Sequence, residues 1–126
     1  MRAIVAMTTV LIISSLGCGS RVPSEFQVSG KPIEHWLAAL HDGDANVRIK
    51  AVRALGNVGP HHPQAIPALT EALSDQDASV RAQASLALLK SGPKARSAVP
   101  ALQTAAGDAD PTVRQYATEA LKKISA

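Results

Sequence analysis

The chain has 126 residues and a formal charge of +3, and 46% of it is apolar although it holds only one Phe, one Trp and one Tyr. A single cysteine excludes an internal disulfide framework, and three aromatic residues exclude a core built on large rings. The pI near 9.4 reflects a small imbalance, since without Arg2 there are 12 basic residues against 10 acidic ones, and such a charge does not mark a nucleic-acid-binding surface.

In chain order, Met1-Arg2 supplies a charge and Ala3 to Leu16 is an uncharged apolar run. Its length suits a signal h-region and falls short of the roughly 20 residues of a membrane-spanning helix, so residues 1–17 read as a signal peptide. The sequence Ser15-Leu16-Gly17-Cys18 resembles the lipobox at which bacterial lipoprotein precursors are lipidated and cleaved, with Ser15 where that pattern prefers leucine. The resemblance implies that Cys18 becomes a lipidated first residue and that the protein is held at a membrane of the cell envelope. Gly19, where many inner-membrane lipoproteins carry aspartate, favours the outer membrane. The alternative is a free thiol on a secreted or periplasmic protein. Residues 18–30 carry Arg21, Pro23, Ser24, Ser29 and Gly30 and read as a short tether.

From residue 31 the chain is periodic. The motif Asp-x-Asp-x-x-Val-Arg occurs at Asp42, Asp44, Val47 and Arg48, at Asp75, Asp77, Val80 and Arg81, and at Asp108, Asp110, Val113 and Arg114. The step is 33 residues each time, and the three copies use every aspartate in the protein. Ala51, Ala84 and Ala117 fall in the same register, as do Leu55, Leu88 and Leu121. Upstream, Ile33, Ile66 and Val99 form a column, followed by Trp36, Leu69 and Leu102. Within each unit the apolar positions step by three and four in two separate stretches (Ile66, Leu69 and Leu73, then Val80, Ala84, Ala87 and Leu88), as the faces of two short helices require. Three stacked helical hairpins over about 31–60, 61–93 and 94–126 follow, which makes the fold all-α and a solenoid.

Capping chemistry places the helix ends. Pro111 after Asp110 suits a first helical position, where a missing N–H has no intrahelical partner, so Asp110 is the N-cap and by register so are Asp44 and Asp77. A carboxylate there also meets the positive end of the helix dipole. Gly59-Pro60 and Gly92-Pro93 are stop signals for the second helices of the first two units, and Pro67 and Pro100 fall near the start of first helices.

These units resemble HEAT repeats, the family of helical-hairpin solenoids that includes short bacterial variants. The residues that carry the resemblance are Pro67 and Pro100, the turn aspartates Asp42, Asp75 and Asp108, and the pairs Val47-Arg48, Val80-Arg81 and Val113-Arg114, with Ala54-Leu55-Gly56 closing the first unit. The match spans about residues 31–126, although Glu34 stands where the first unit would have its proline and the third runs on into Lys122 and Lys123. The resemblance implies a right-handed α-solenoid and a ladder between neighbouring repeats formed by Arg48, Arg81 and Arg114 with the three turn aspartates. It also implies binding of a protein partner on a surface lined by second helices, where Lys50, Arg53, Gln83, Leu86, Tyr116 and Glu119 are the candidates.

Other chemistry is thinly represented. Asp42-Gly43-Asp44 opens like a calcium loop, but Val47 replaces the sharp-turn glycine and Arg53 the bidentate glutamate. His61-His62 has no partner among His35 and His41 at a metal-site spacing, and no serine or cysteine of the folded region completes a nucleophilic set. Trp36 takes a leucine column of the first repeat and would cover the open end of the stack, while Glu119 and Lys122 replace Leu86 and Leu89 and make the last helix polar, as a monomer requires. The expectation is a non-enzymatic, lipid-anchored scaffold without metal or cofactor. The alternative is an accessory subunit resembling the HEAT-like chromophore lyases.

Overall fold

The computed structural model describes residues 27–126. The readings made above for the signal peptide and for Cys18 lie outside the described residues. After a two-stranded hairpin, β1 (Gln27–Val28) and β2 (Lys31–Pro32), the chain forms six α-helices. These are α1 (Ile33–Ala39), α2 (Ala45–Val58), α3 (Ala65–Ala72), α4 (Ala78–Ser91), α5 (Val99–Ala105) and α6 (Pro111–Ser125). They pair as α1/α2, α3/α4 and α5/α6, with α2, α4 and α6 packed side by side. Short 3-10 segments at Gly59–His61 and Gly92–Ala98 lead from one pair to the next. The architecture is the all-α solenoid expected from the 33-residue step.

The hairpin departs from the tether reading, because residues 27–30 are held in place. Gln27 pairs with Pro32 and Val28 with Lys31, and Ser29 and Gly30 both have positive φ, the arrangement a two-residue turn needs. The indole N–H of Trp36 donates to the Val28 carbonyl at 2.8 Å, which fastens the hairpin to α1.

The caps form as their chemistry dictates. The Asp44 carboxylate accepts from the Asn46 N–H, Asp77 from Ser79 and Val80, and Asp110 from Thr112 and Val113. The other aspartate of each motif holds the cap itself: Asp42, Asp75 and Asp108 accept from the N–H groups of Asp44, Asp77 and Asp110 at 2.8–2.9 Å. At the other end, Gly59 and Gly92 close α2 and α4 with φ of 50° and 60°, a backbone that an L side chain resists.

The core is built from the columns. Ala51, Ala84 and Ala117 have no exposed surface, nor do Leu55, Leu69, Leu88 and Leu102. Each buried leucine contributes about 1.5–3 kcal/mol relative to an exposed one, and the alanines let neighbouring helices approach closely. One close approach is at Gly56, where a Cβ would stand 2.9 Å from that of Ala87.

Candidate functional site

Two side-chain systems stand out on this scaffold, one that joins the repeats and one that the joining leaves free. The first is the ladder. Arg48 donates from Nε and Nη2 to the two carboxylate oxygens of Asp75, at 2.9 and 3.1 Å. Arg81 repeats this fork on Asp108, at 2.8 and 3.0 Å. Each arginine also turns Nη1 onto carbonyls of its own turn, Asp42 and Gly43 for Arg48, Asp75 and Gln76 for Arg81. Each rung thus fixes two turns at once: the guanidinium clamps the one before it and the carboxylate belongs to the one after.

Burial grades the rungs, because the side chains are 7% and 12% exposed in Arg48–Asp75 and 18% and 13% in Arg81–Asp108. Bidentate, charge-assisted contacts of this kind are the strong class of hydrogen bond. Their electrostatic imprint follows. Hydrogen bonds from Arg81, above all, hold the Asp108 carboxyl below the usual carboxylate range against the opposing effect of burial. The Asp110 N–H and the charges of Arg81 and Arg114 add to that effect. Arg48 and Arg81 are pushed above the usual guanidinium value, chiefly by the hydrogen bonds to Asp75 and Asp108.

The ladder has direction. Every rung runs from an arginine to the aspartate of the following repeat, so among the described residues the Arg114 guanidinium meets only the carbonyls of Asp108 and Ala109 and Asp42 receives no guanidinium on its carboxylate. Sequence reasoning placed all three arginines and all three turn aspartates in the ladder, and the structure brings together two pairs of them.

The second system is the outward face of the second helices. Lys50, Arg53 and Glu119 are exposed, and Gln83, Leu86 and Tyr116 are half-buried. A cleft between α2 and α4 gathers Arg53, Gln83 and Leu86, and the Arg53 Nε donates to the Gln83 amide oxygen at 3.2 Å. The same cleft is lined by Asn57 and Lys90, which the sequence reading left out, over a floor of Gly56 and Ala87. A second cleft, between α4 and α6, holds Gln83 and Tyr116 with Ser79, Asp110 and Thr112, so Gln83 is common to both. The other two candidates lie apart. Lys50 borders a cleft at the hairpin end with Trp36, Asp42 and Val47, and Glu119 accepts from the Gln115 amide within α6. Asn57, Lys90 and Lys123 form a column at the 33-residue step, a signal present in the sequence for the residues it missed.

Among the described residues no group of three or more His, Cys, Asp or Glu could hold a metal ion, and no helix is long and apolar enough to cross a membrane.

Paired helices, a one-way arginine–aspartate ladder and alanine-lined helix contacts define a helical-repeat solenoid. A family description for HEAT repeats matches residues 33–122, and the chain belongs to that family. Among solved structures, an engineered protein superposes with a TM-score of 0.57 and 29% identity, over 74% of this chain and 45% of the other. Human deoxyhypusine hydroxylase in complex with glycerol superposes with a TM-score of 0.61 and 28% identity, over 74% of this chain and 32% of the enzyme. The chain thus spans less than half the length of either. Among curated proteins none matches it significantly.

Proposed function

We propose that the protein is a non-catalytic interaction scaffold that presents the second-helix face to a partner protein and is tied to a cell-envelope membrane through lipid on Cys18. The observation that carries the scaffold reading is a division of labour within each repeat. The columns that recur, Ala51/Ala84/Ala117 and Leu55/Leu88/Leu121 with the ladder residues, make the core and the joints, whereas the columns that vary line contiguous surface clefts. A helical-repeat stack keeps such a face rigid, so a partner meets it already ordered. The anchor rests on the Ser15-Leu16-Gly17-Cys18 sequence. A single acyl chain holds a protein only marginally, so stable anchoring requires more than one chain on the mature terminus.

The test is capture from detergent-solubilised envelope membranes with the wild-type protein and with Cys18→Ser, alongside fatty-acid labelling of both. The wild type takes up label, partitions into detergent and retains a partner, while Cys18→Ser loses label and partitioning. Absence of label in the wild type defeats the anchor, and capture of nothing by the wild type defeats the scaffold. A second reading is an accessory subunit that resembles the HEAT-like chromophore lyases; the solved structures to which the chain is similar include an enzyme, deoxyhypusine hydroxylase. Recovery of an enzyme as the retained partner would select it.

A further inference from the structure

The second-helix face is not electrically neutral at the cleft between α2 and α4. Arg53 and Lys90 face each other across the cleft between α2 and α4, and Lys123 continues the line on α6, with its Cε 3.6 Å from the point a Cβ would take on Gly92. Among the described residues no carboxylate lines the cleft between α2 and α4. Among the described residues the six aspartates sit in the turns, with Asp110 at the edge of the cleft between α4 and α6 as the cap of α6, Glu34 and Glu71 are on first helices, and Glu119 is on α6 outside both clefts. The ion pairs among the described residues are the two rungs, and the guanidinium of Arg53 is met instead by the neutral amide of Gln83. Lys90 and Lys123 lie in the last turns of their helices, where a cation also complements the helix dipole, but Arg53 is five residues short of the end of α2 and has no such role. Unpaired cations beside a recessed floor focus a positive potential into it.

From this we infer, on the footing of the scaffold reading, that the cleft line binds an extended acidic segment of the partner protein, its carboxylates seated by Arg53, Lys90 and Lys123. Three features favour a peptide over other anions. Asn57 and Gln83 offer amides that both donate and accept, which matches a peptide backbone, whereas phosphate only accepts. Leu86 and Tyr116 are half-buried and give side chains apolar contact. The floor at Gly56 and Ala87 is recessed between helices, out of reach of a flat bilayer surface. Helices packed about 10 Å apart put α2 and α6 about 20 Å from each other, a span of about six extended residues.

The experiment uses fluorescence anisotropy with a labelled decapeptide of alternating Glu and Leu, its Gln-for-Glu counterpart, a single-stranded oligonucleotide of equal charge, and vesicles containing anionic lipid. The acidic peptide binds, the Gln peptide does not, and Arg53→Glu with Lys90→Glu weakens binding by about tenfold for each reversal, with a matching loss as salt rises. Both positions are exposed, so circular dichroism reports an unchanged fold; Arg53→Gln serves as a milder second variant and weakens binding severalfold. Equal binding of both peptides, no binding of the acidic one, or preferential binding of the oligonucleotide or the vesicles overturns the proposal. Capture of a partner that Arg53→Glu/Lys90→Glu retains in full overturns it while leaving the scaffold reading intact.

Discussion

Replacing Arg81 with alanine removes a fork on Asp108 at 2.8 and 3.0 Å and two donations to the carbonyls of Asp75 and Gln76. Water can rehydrate the carbonyls at small cost, so the fork sets the magnitude. Hydrogen bonds to charged groups contribute about 1.5–3 kcal/mol net when buried, and this pair keeps 18% and 13% of its side-chain surface in solvent, which selects the low end. The expected loss is about 2 kcal/mol, a substantial part of the roughly 5–15 kcal/mol that holds a domain of this size. Arg114→Ala, which gives up only carbonyl contacts in an exposed turn, loses under about 1 kcal/mol. Urea unfolding followed by circular dichroism measures both, and a double-mutant cycle with Asp108→Ala isolates a coupling of about 1–2 kcal/mol. Acid supplies an independent check. Because the folded-state pKa of Asp108 is lowered, its contribution is complete above the unfolded value near 3.9 and vanishes as pH falls through the lowered one. The gap between wild type and Asp108→Asn therefore closes in strong acid. Equal losses for Arg81→Ala and Arg114→Ala, or a coupling near zero at neutral pH, would refute the reasoning.

Two further outcomes follow from the packing. Gly56→Ala gains about 1 kcal/mol of helix propensity but sets a methyl 2.9 Å from the Ala87 Cβ and pushes α2 from α4, for a net loss of about 1–2 kcal/mol by urea unfolding, whereas Gly43→Ala, with open space around it, is near neutral in the same assay. Trp36→Phe keeps a ring in place but ends the donation to Val28, so amides of residues 27–31 exchange faster by hydrogen–deuterium measurement while the global melt moves by less than about 1 kcal/mol.

The repeat and its caps were legible because each rests on local chemistry. An aspartate immediately ahead of α2, α4 or α6 meets free N–H groups whatever the rest of the chain does, and Gly59 and Gly92 mark conformations that other residues avoid. The pairing direction of the ladder was not legible, since Arg48 is nearer in sequence to Asp42 than to Asp75 and only the stacking of hairpins brings the second within reach. The hairpin at residues 27–32 escaped for a different reason: two-residue strands carry no periodicity, and the bond that fixes them comes from Trp36, read above as a cover for the end of the stack. On the candidate face, Arg53, Gln83 and Leu86 do converge. Lys50 and Glu119 do not, because a position on the helix wheel says nothing of which neighbouring helix lies opposite.

The one-way ladder gives the molecule an arithmetic of its own. Since every rung spans 27 residues and every unit 33, excising residues 61–93 would bring Asp108 to the place Asp75 now holds before Arg48, and a duplicated unit would enter with a guanidinium for the aspartate ahead and a carboxylate for the arginine behind. Copies can therefore be gained or lost by unequal recombination without leaving an orphaned charge inside the stack. The length of such an array is thus open to change on a far shorter timescale than the chemistry of its joints.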